Sequence, residues 1–361
     1  MRVVIAPDSF KGSVTASRAA AILRLGWLDV RPDDEVVSLP LADGGEGTLD
    51  ARAAASPGSR LMSTDVDGPT GPADAPWLLL PDGTAVVELA SACGLPLWPA
   101  PDPFGAHTFA LGQVLLAAAT HPEVERVVVA LGGSASTDGG TGALSALGAQ
   151  FLLANGDRMP WGASALGSLS RVDQSGLVPP PKGGVEILSD VDATLLGPLG
   201  AAGQFGPQKG ATPAVVAALE AGLAHLAEIL GGDPDQAGAG AAGGTAYGLA
   251  TLWGATMTPG SARIADLVGL PAALDTADVV IAGEGRLDAQ SFRGKVVGRV
   301  SELARDKGVR LLACVGMADP EAAARLDGYV ALADLAGSTQ DAMARPEHWL
   351  REAGRHLARS S

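Results

Sequence analysis

EVVSLPLADGGEGT, residues 35–48, runs from a β-branched stretch through a proline and a glycine-rich acidic turn into a helical pattern that continues to about Ala55. Glu35 to Leu39 reads as a strand, and the glycines then place Asp43 and Glu46 at its carboxyl end. An ordinary surface turn would accept Asp43-Gly44, but it would have no need of Glu46, Gly47 and Thr48 as well. Upstream, Val3 to Ala6 is a second short strand that ends in PDSFKGS. Ser13 or Thr15 can cap the helical pattern that follows, to about Leu28. The chain therefore begins β-α-β-α, and such alternation means parallel strands.

From residue 60 to 106 the grammar changes. Asp-Gly, Gly-Pro and Pro-Asp-Gly turns separate short apolar runs, and WLLLPDGTAVVELA reads as a hairpin. Val127–Leu131 and Val185–Leu188 are further strands, each followed by a polar loop, and 213–230 is a helix. Alternation then returns, with strands at 279–282, 310–315 and 329–333 and helices at 296–307 and 346–359. Two early strands and three late ones make a five-stranded, flavodoxin-like parallel sheet built from both ends of the chain. The expectation is an α/β protein with that domain formed by residues 1–58 and 262–361. A second α/β domain with a mixed sheet, residues 59–261, is inserted into it.

The 361 residues suit two domains, and a hydrophobic fraction of 47% suffices for two cores. A formal net charge of −15 argues against nucleic acid or an anionic membrane as partner. Cys93 and Cys314 form no metal-binding pattern and fit a reducing compartment. With no signal-like N-terminus and no run that approaches membrane length, the expected location is the cytoplasm. None of the five histidines falls in a ligand or catalytic pattern.

In an open parallel sheet, ligands bind beyond the carboxyl ends of the strands. Asp8–Gly12, Asp43–Gly47 and Gly283–Asp288 all follow expected strands, so their carboxylates should gather at one edge. The plainer reading is that Asp and Gly make good βα turns and caps. GGSASTDGG, residues 132–140, is not a Walker loop, but it opens a helix, and its amides could hold an anion. SDVD, residues 189–192, places Asp190 and Asp192 at a strand end, where they can bind Mg²⁺ or accept a hydroxyl proton. GAGAAGG matches GxGxxG at Gly238, Gly240 and Gly243, but GGDPDQA rather than a strand precedes it, so the dinucleotide reading fails. Close helix packing or a second anion loop remains open there. Only five lysines occur, and Lys11, Lys209 and Lys295 sit on glycine turns, where a compact ammonium can meet a phosphate. Carboxylates, lysines and glycine amides are the parts that phosphoryl transfer needs. Hydride transfer would want a dinucleotide fingerprint, and a serine hydrolase would want a GxSxG elbow.

APDSFKGSVTA at 6, PLADGGEGT at 40, GGSASTDGG at 132, SDVD at 189, FGPQKGA at 205, GAGAAGG at 238 and GEGRLDAQSFRGK at 283 together resemble the bacterial glycerate kinase family, in its order and over nearly the whole chain. The resemblance implies ATP- and Mg²⁺-dependent phosphorylation of D-glycerate, typically to 2-phosphoglycerate with 3-phosphoglycerate the other product, in a cleft between the two domains. The alternatives are a kinase of another small hydroxy acid or a non-catalytic nucleotide-binding regulator. The expected partners are glycerate and ATP, and the expected assembly is a monomer or homodimer. Asp190, Asp192 and Lys209 are the catalytic candidates. Asp8, Lys11, Ser13, Asp43, Gly44, Gly45, Glu46, Gly132, Gly133, Ser134, Arg286 and Lys295 are the substrate- and phosphate-binding candidates. Asp192, Glu284 and Asp288 are the metal candidates. Arg286 or Arg293 could clamp the glycerate carboxylate bidentately, an inference from charge and not from the family. The chain departs from the family pattern at Ala193 and Thr194 (usually Asn-Pro), at Ser136 and Thr137 (usually Thr-Asn) and at Ala289 (often Gly).

Overall fold

The computed structural model describes residues 1–292 and 294–361, so Arg293 lies outside the described residues. The chain opens with β1 (Arg2–Pro7) and β2 (Glu35–Ser38). Its middle supplies β3 (Arg60–Gly68), β4 (Gly71–Leu79), β5 (Thr84–Glu88), β6 (Arg126–Ala130), β7 (Gln150–Leu153), β8 (Leu169–Asp173), β9 (Val185–Leu188) and β10 (Thr256–Thr258). Its last part returns β11 (Val279–Leu287), β12 (Arg310–Ala318) and β13 (Gly328–Ala331).

These strands belong to two compact units. The first comprises residues 1–43, 50–57 and 261–361; the second comprises 44–49 and 58–260. The sheet of the first unit runs β13-β12-β11-β1-β2, with every pair parallel. This is the flavodoxin order, with its switch point between β1 and β11, where ligands of such sheets bind. Val3 pairs with Val279 in one sheet, as the sequence implied for the two ends of the chain. β1 is buried on both faces, which its unbroken VVIA run anticipates.

Helix Ala16–Leu28 starts where the Thr15 hydroxyl accepts from the Arg18 N–H, so Thr15 and not Ser13 is its cap. It crosses helix Pro346–Arg359 closely enough that a Cβ on Gly26 would lie 2.1 Å from the Arg351 carbonyl oxygen. Trp27, Leu23, Ile5 and Leu350 are among the fully enclosed side chains of this core. The expected strand 329–333 stops at Ala331, because Leu332 begins helix Leu332–Ala336. A short apolar run satisfies strand and helix periods alike, and tertiary packing chose between them.

The main sheet of the second unit runs β10-β9-β6-β5-β4-β3. β5, β6, β9 and β10 are parallel neighbours, while β3, β4 and β5 form antiparallel pairs, so the sheet is mixed. The β4–β5 turn is the expected Pro-Asp-Gly hairpin. Leu80 N–H donates to the Thr84 carbonyl at 2.9 Å, and the Asp82 carboxylate accepts from Thr84 N–H at 3.0 Å. β7 and β8 form a separate antiparallel pair. Helix Pro213–Leu230 begins with a Thr212 cap and a proline in its first turn. Contrary to the sequence expectation, this helix is long and apolar enough to cross a membrane by length and composition. Here Leu219, Leu223 and Leu226 make it part of the second core.

Candidate active site

The first unit carries a pocket of about 420 Å³ at the carboxyl edge of its sheet. β1 ends by delivering Asp8, whose N–H donates to the Gly283 carbonyl on β11 at 2.8 Å. The chain then closes a tight turn through Gly12, at φ 78°, with the Ser13 hydroxyl donating to the Phe10 carbonyl at 2.8 Å. That turn aims Lys11 across the pocket, 3.7 Å from Asp43 beyond β2. β11 contributes Glu284 and Arg286, and the turn after it contributes Asp288 and Lys295. Asp288 is fixed by its own loop: Oδ1 accepts from Gln290 N–H at 2.8 Å, and Oδ2 lies 3.9 Å from Arg286 Nε. Of the sequence candidates, Asp8, Lys11, Ser13, Asp43, Glu284, Arg286, Asp288 and Lys295 line this one pocket.

Burial sets the electrostatics, and neighbouring acids add to it. Burial, and then the Asp43 carboxylate, push the Asp8 carboxyl up to about 7. Burial likewise pushes Glu284 up to about 7, against the pull of Ser291, Lys295 and Lys11. Glu284 Oε1 is buried with no hydrogen-bond partner among the described residues. A buried, unpartnered carboxylate oxygen among other acids is a fitting ligand for a hard divalent cation. No group of three His, Cys, Asp or Glu able to hold a metal occurs among the described residues.

A pH dependence follows. The folded carboxyls of Asp8 and Glu284 keep their protons up to about pH 7, whereas unfolded ones release them near 4. Across that window the native state binds the extra protons, so ligand-free stability should fall as pH rises from 5 to about 7. Asp8→Asn should raise the unfolding temperature at pH 8 by several degrees and flatten the slope. Equal unfolding temperatures at pH 5.5 and 7.5 for the wild type would refute this origin.

The second unit holds the remaining candidates. Lys209 closes a short 3₁₀ turn, Pro207–Lys209, followed by left-handed Gly210. Its side chain is 1% exposed. Nζ donates to Ser134 Oγ at 2.9 Å and to the Ser136 carbonyl at 2.5 Å. Burial lowers the ammonium to about 8, while the charge of Asp138 opposes that fall. The FGPQKGA lysine thus reaches into the GGSASTDGG loop and bonds Ser134, a candidate of that loop.

Asp138 is the buried acid of this loop that the sequence did not single out. It is fully buried, and Oδ2 accepts from Thr108 N–H at 2.9 Å, Thr108 Oγ1–H at 2.8 Å and Gly142 N–H at 3.2 Å, while Oδ1 accepts from Gly140 N–H at 3.1 Å. The amides at the start of helix Thr141–Ala146, read from sequence as open to a phosphate, are therefore taken by an anion of the loop's own. The signal was the lone acid within the glycine run. Glu88 does the same for the opening stretch, accepting from Gly47 N–H at 3.1 Å and Leu49 N–H at 3.2 Å.

Gly44, Gly45 and Gly132 serve close backbone approach. Gly132 N–H donates to the Gly44 carbonyl at 3.2 Å, and a Cβ on Gly132 would come within 2.5 Å of Gly45 Cα. Gly133 adopts φ 79° beside Ala90. Glu46 is exposed and belongs to the second unit, whereas Asp43 belongs to the first, so the two acids of one loop part company. Asp190 and Asp192 lie beyond the end of β9 at Leu188, in irregular chain and not on the strand end itself. The ladder ends there once Ser189 N–H has bonded the Thr258 carbonyl at 3.1 Å, so the two-residue alternation that would align the carboxylates no longer applies. Asp190 is half-buried and Asp192 exposed.

GAGAAGG proves to be a packing device. Ala242, Gly243 and Gly244 are left-handed in succession, Ala242 being the one non-glycine residue with positive φ among those described. Gly243 accepts from Gly139 N–H at 3.0 Å, and a Cβ on it would fall 2.1 Å from the Ser136 carbonyl oxygen, the atom that Lys209 bonds. Gly243→Ala should cost about 2–4 kcal/mol from strain and overpacking together, read by urea denaturation. An unchanged denaturation midpoint would show that the loop yields.

Residues 3–361 match the model of the glycerate kinase family. The chain belongs to that family. It is 39% identical over 315 residues to glycerate 2-kinase of Escherichia coli K12, covering 84% of this chain and 82% of that protein. It is 36% identical over 374 residues to a glycerate kinase of Bacillus subtilis, covering 100% and 97%. A crystal structure from Salmonella typhimurium LT2, described provisionally as glycerate kinase 2, superposes with a TM-score of 0.83 at 35% identity, covering 100% of this chain and 98% of that one. This glycerate kinase family member is accordingly an enzyme, a kinase.

Proposed function

We propose that the protein transfers the terminal phosphoryl group of ATP to D-glycerate, giving 2-phosphoglycerate, with Mg²⁺. The observation that carries this reading is the first unit's pocket, where Asp8, Asp43, Glu284 and Asp288 are interleaved with Lys11, Arg286 and Lys295. Acids and cations so mixed suit a metal-bound polyphosphate better than a bare anion, which the acids would repel, or a bare cation, which the lysines would repel.

Glu284 and Asp288 would hold Mg²⁺, which when bound neutralises charge on the phosphate oxygens. Lys11 and Lys295 would bind phosphate oxygens. Lys209 would stabilise the charge on the group in transfer, and its buried setting strengthens that interaction. Asp190 would orient the attacking hydroxyl and take its proton, with Asp192 beside it as a lesser partner. A loose transition state asks for positioning more than for a strong base. Arg286, 71% exposed and 3.9 Å from Asp288, would reach a substrate carboxylate by turning from that partner.

The test is ADP release with D-glycerate, L-glycerate and a panel of other hydroxy acids, with the product assigned by ³¹P NMR. D-glycerate should give the highest kcat/KM and a 2-phosphate resonance, and excess EDTA should abolish turnover. A different preferred acid, a 3-phosphate product or full turnover in EDTA would each overturn the corresponding part of the reading.

A further inference from the structure

The pocket of the first unit is polar on only one side. Across the sheet from β2 to β13 its lining changes character. Asp43 beyond β2, Asp8 beyond β1 and Glu284 on β11 give way to Met317 on β12, Leu332 after β13, and Ala342 and Met343 on the short helix Thr339–Ala344, with Pro346 beyond. Phe10 flanks the change, and the Thr339 hydroxyl lies 3.1 Å from Met317 Sδ. A three-carbon hydroxy acid has no apolar face to offer such a wall, and its bulk is small beside about 420 Å³, a volume typical of sites for larger ligands.

The floor supports the same reading. Gly285 and Gly316 pack backbone to backbone, a Cβ on Gly316 falling 2.3 Å from the Gly285 carbonyl oxygen. A Cβ on Gly285 would meet only Lys11 N and Phe10 Cα, both at 3.9 Å. That position is therefore open toward the pocket, and glycine keeps the floor flat where a planar ring could lie.

We infer that the wall formed by Met317, Leu332, Ala342, Met343 and Pro346 receives the nucleobase of the phosphoryl donor, with the phosphates directed toward Lys11 and Lys295. The inference rests on the reading that this pocket takes the nucleotide. Thioether side chains suit the task, since polarisable sulfur packs well against aromatic rings. The base then lies beside the β12–β13 end and the phosphates over the switch point between β1 and β11, as the topology of such sheets directs.

The experiment is calorimetric titration of the full chain with ADP, adenosine and inorganic pyrophosphate, each with Mg²⁺, for wild type, Met343→Glu and Gly285→Val. Met343 is 56% exposed, so its replacement tests the wall without threatening the fold. Wild type should bind ADP more tightly than pyrophosphate. Met343→Glu should weaken ADP by about 2- to 12-fold, the range for losing one sulfur–aromatic contact, with pyrophosphate unchanged. Gly285→Val, whose methyls would rise from the floor, should weaken ADP and adenosine together. ADP binding within about twofold of wild type in both variants, or pyrophosphate bound as tightly as ADP by wild type, would overturn the assignment. A wild type that binds ADP in this way yet phosphorylates no hydroxy acid would leave the base site standing and sink the proposed reaction. Unchanged ADP binding in both variants of an active glycerate kinase would do the reverse.

Discussion

Lys209→Met should lower kcat by about 10²- to 10³-fold, the loss that follows removal of one preorganised charge-stabilising group. Lys209 is 1% exposed, and its ammonium bonds Ser134 Oγ and the Ser136 carbonyl. An ammonium removed from water is costly, and a fold that only needed to fill this space could do so with an apolar chain. Methionine has nearly the same length and volume, so the variant should remain folded. Asp138 keeps its four donors without the lysine. Burial also places the ammonium at about 8, so wild-type kcat should fall as pH rises through that value and the lysine loses its charge. The residual rate of Lys209→Met should lack this alkaline limb. A variant with kcat within about threefold of wild type and the limb intact would make Lys209 a structural residue.

Asp190→Asn should lower kcat by ~10²-fold or more, with nucleotide affinity nearly unchanged, since a positioned acid–base group contributes in that range. Asparagine keeps the shape and removes the proton acceptor. The structure distinguishes Asp190 from Asp192 by how each is held. Ser189 N–H is tied to the Thr258 carbonyl at 3.1 Å, and Val191 N–H donates to Ser189 Oγ at 3.3 Å, so Asp190 sits between two fixed amides. Asp192 is exposed. Asp192→Asn should accordingly cost less than Asp190→Asn in single-turnover measurements. If the order is reversed, Asp192 orients the hydroxyl; if neither matters, Asp8 or Asp43 is the next residue to replace.

Much of this was legible in the chain because it rests on local rules. Helices Pro213–Leu230 and Pro346–Arg359 open on a proline in the first turn, and the observed bounds of these two and of Val296–Lys307 are the expected ones. The parallel sheet followed from alternating strands and helices. The gathering of Asp8, Asp43 and Glu284 followed from the rule that loops after parallel strands share an edge. Where a segment met both periods, as at Leu332, local rules could not choose.

What the sequence determined by itself was therefore the β-α-β-α opening, the three late strands, the helices 213–230, 296–307 and 346–359, the two-ended five-stranded sheet and the acids at its carboxyl edge, because periodicity and caps are set by near neighbours. Only the tertiary structure decided the ionic roles. Asp138 and Asp190 look alike as single letters, yet one is enclosed by Thr108, Gly140 and Gly142 as the private anion of its loop, and the other stands half-exposed beyond β9. Lys209 reads as a turn lysine and proves to be buried against Ser134, a residue 75 positions away. The physical reason is that charge acts through space and desolvation, and both depend on residues brought together by folding and not on those adjacent in the chain.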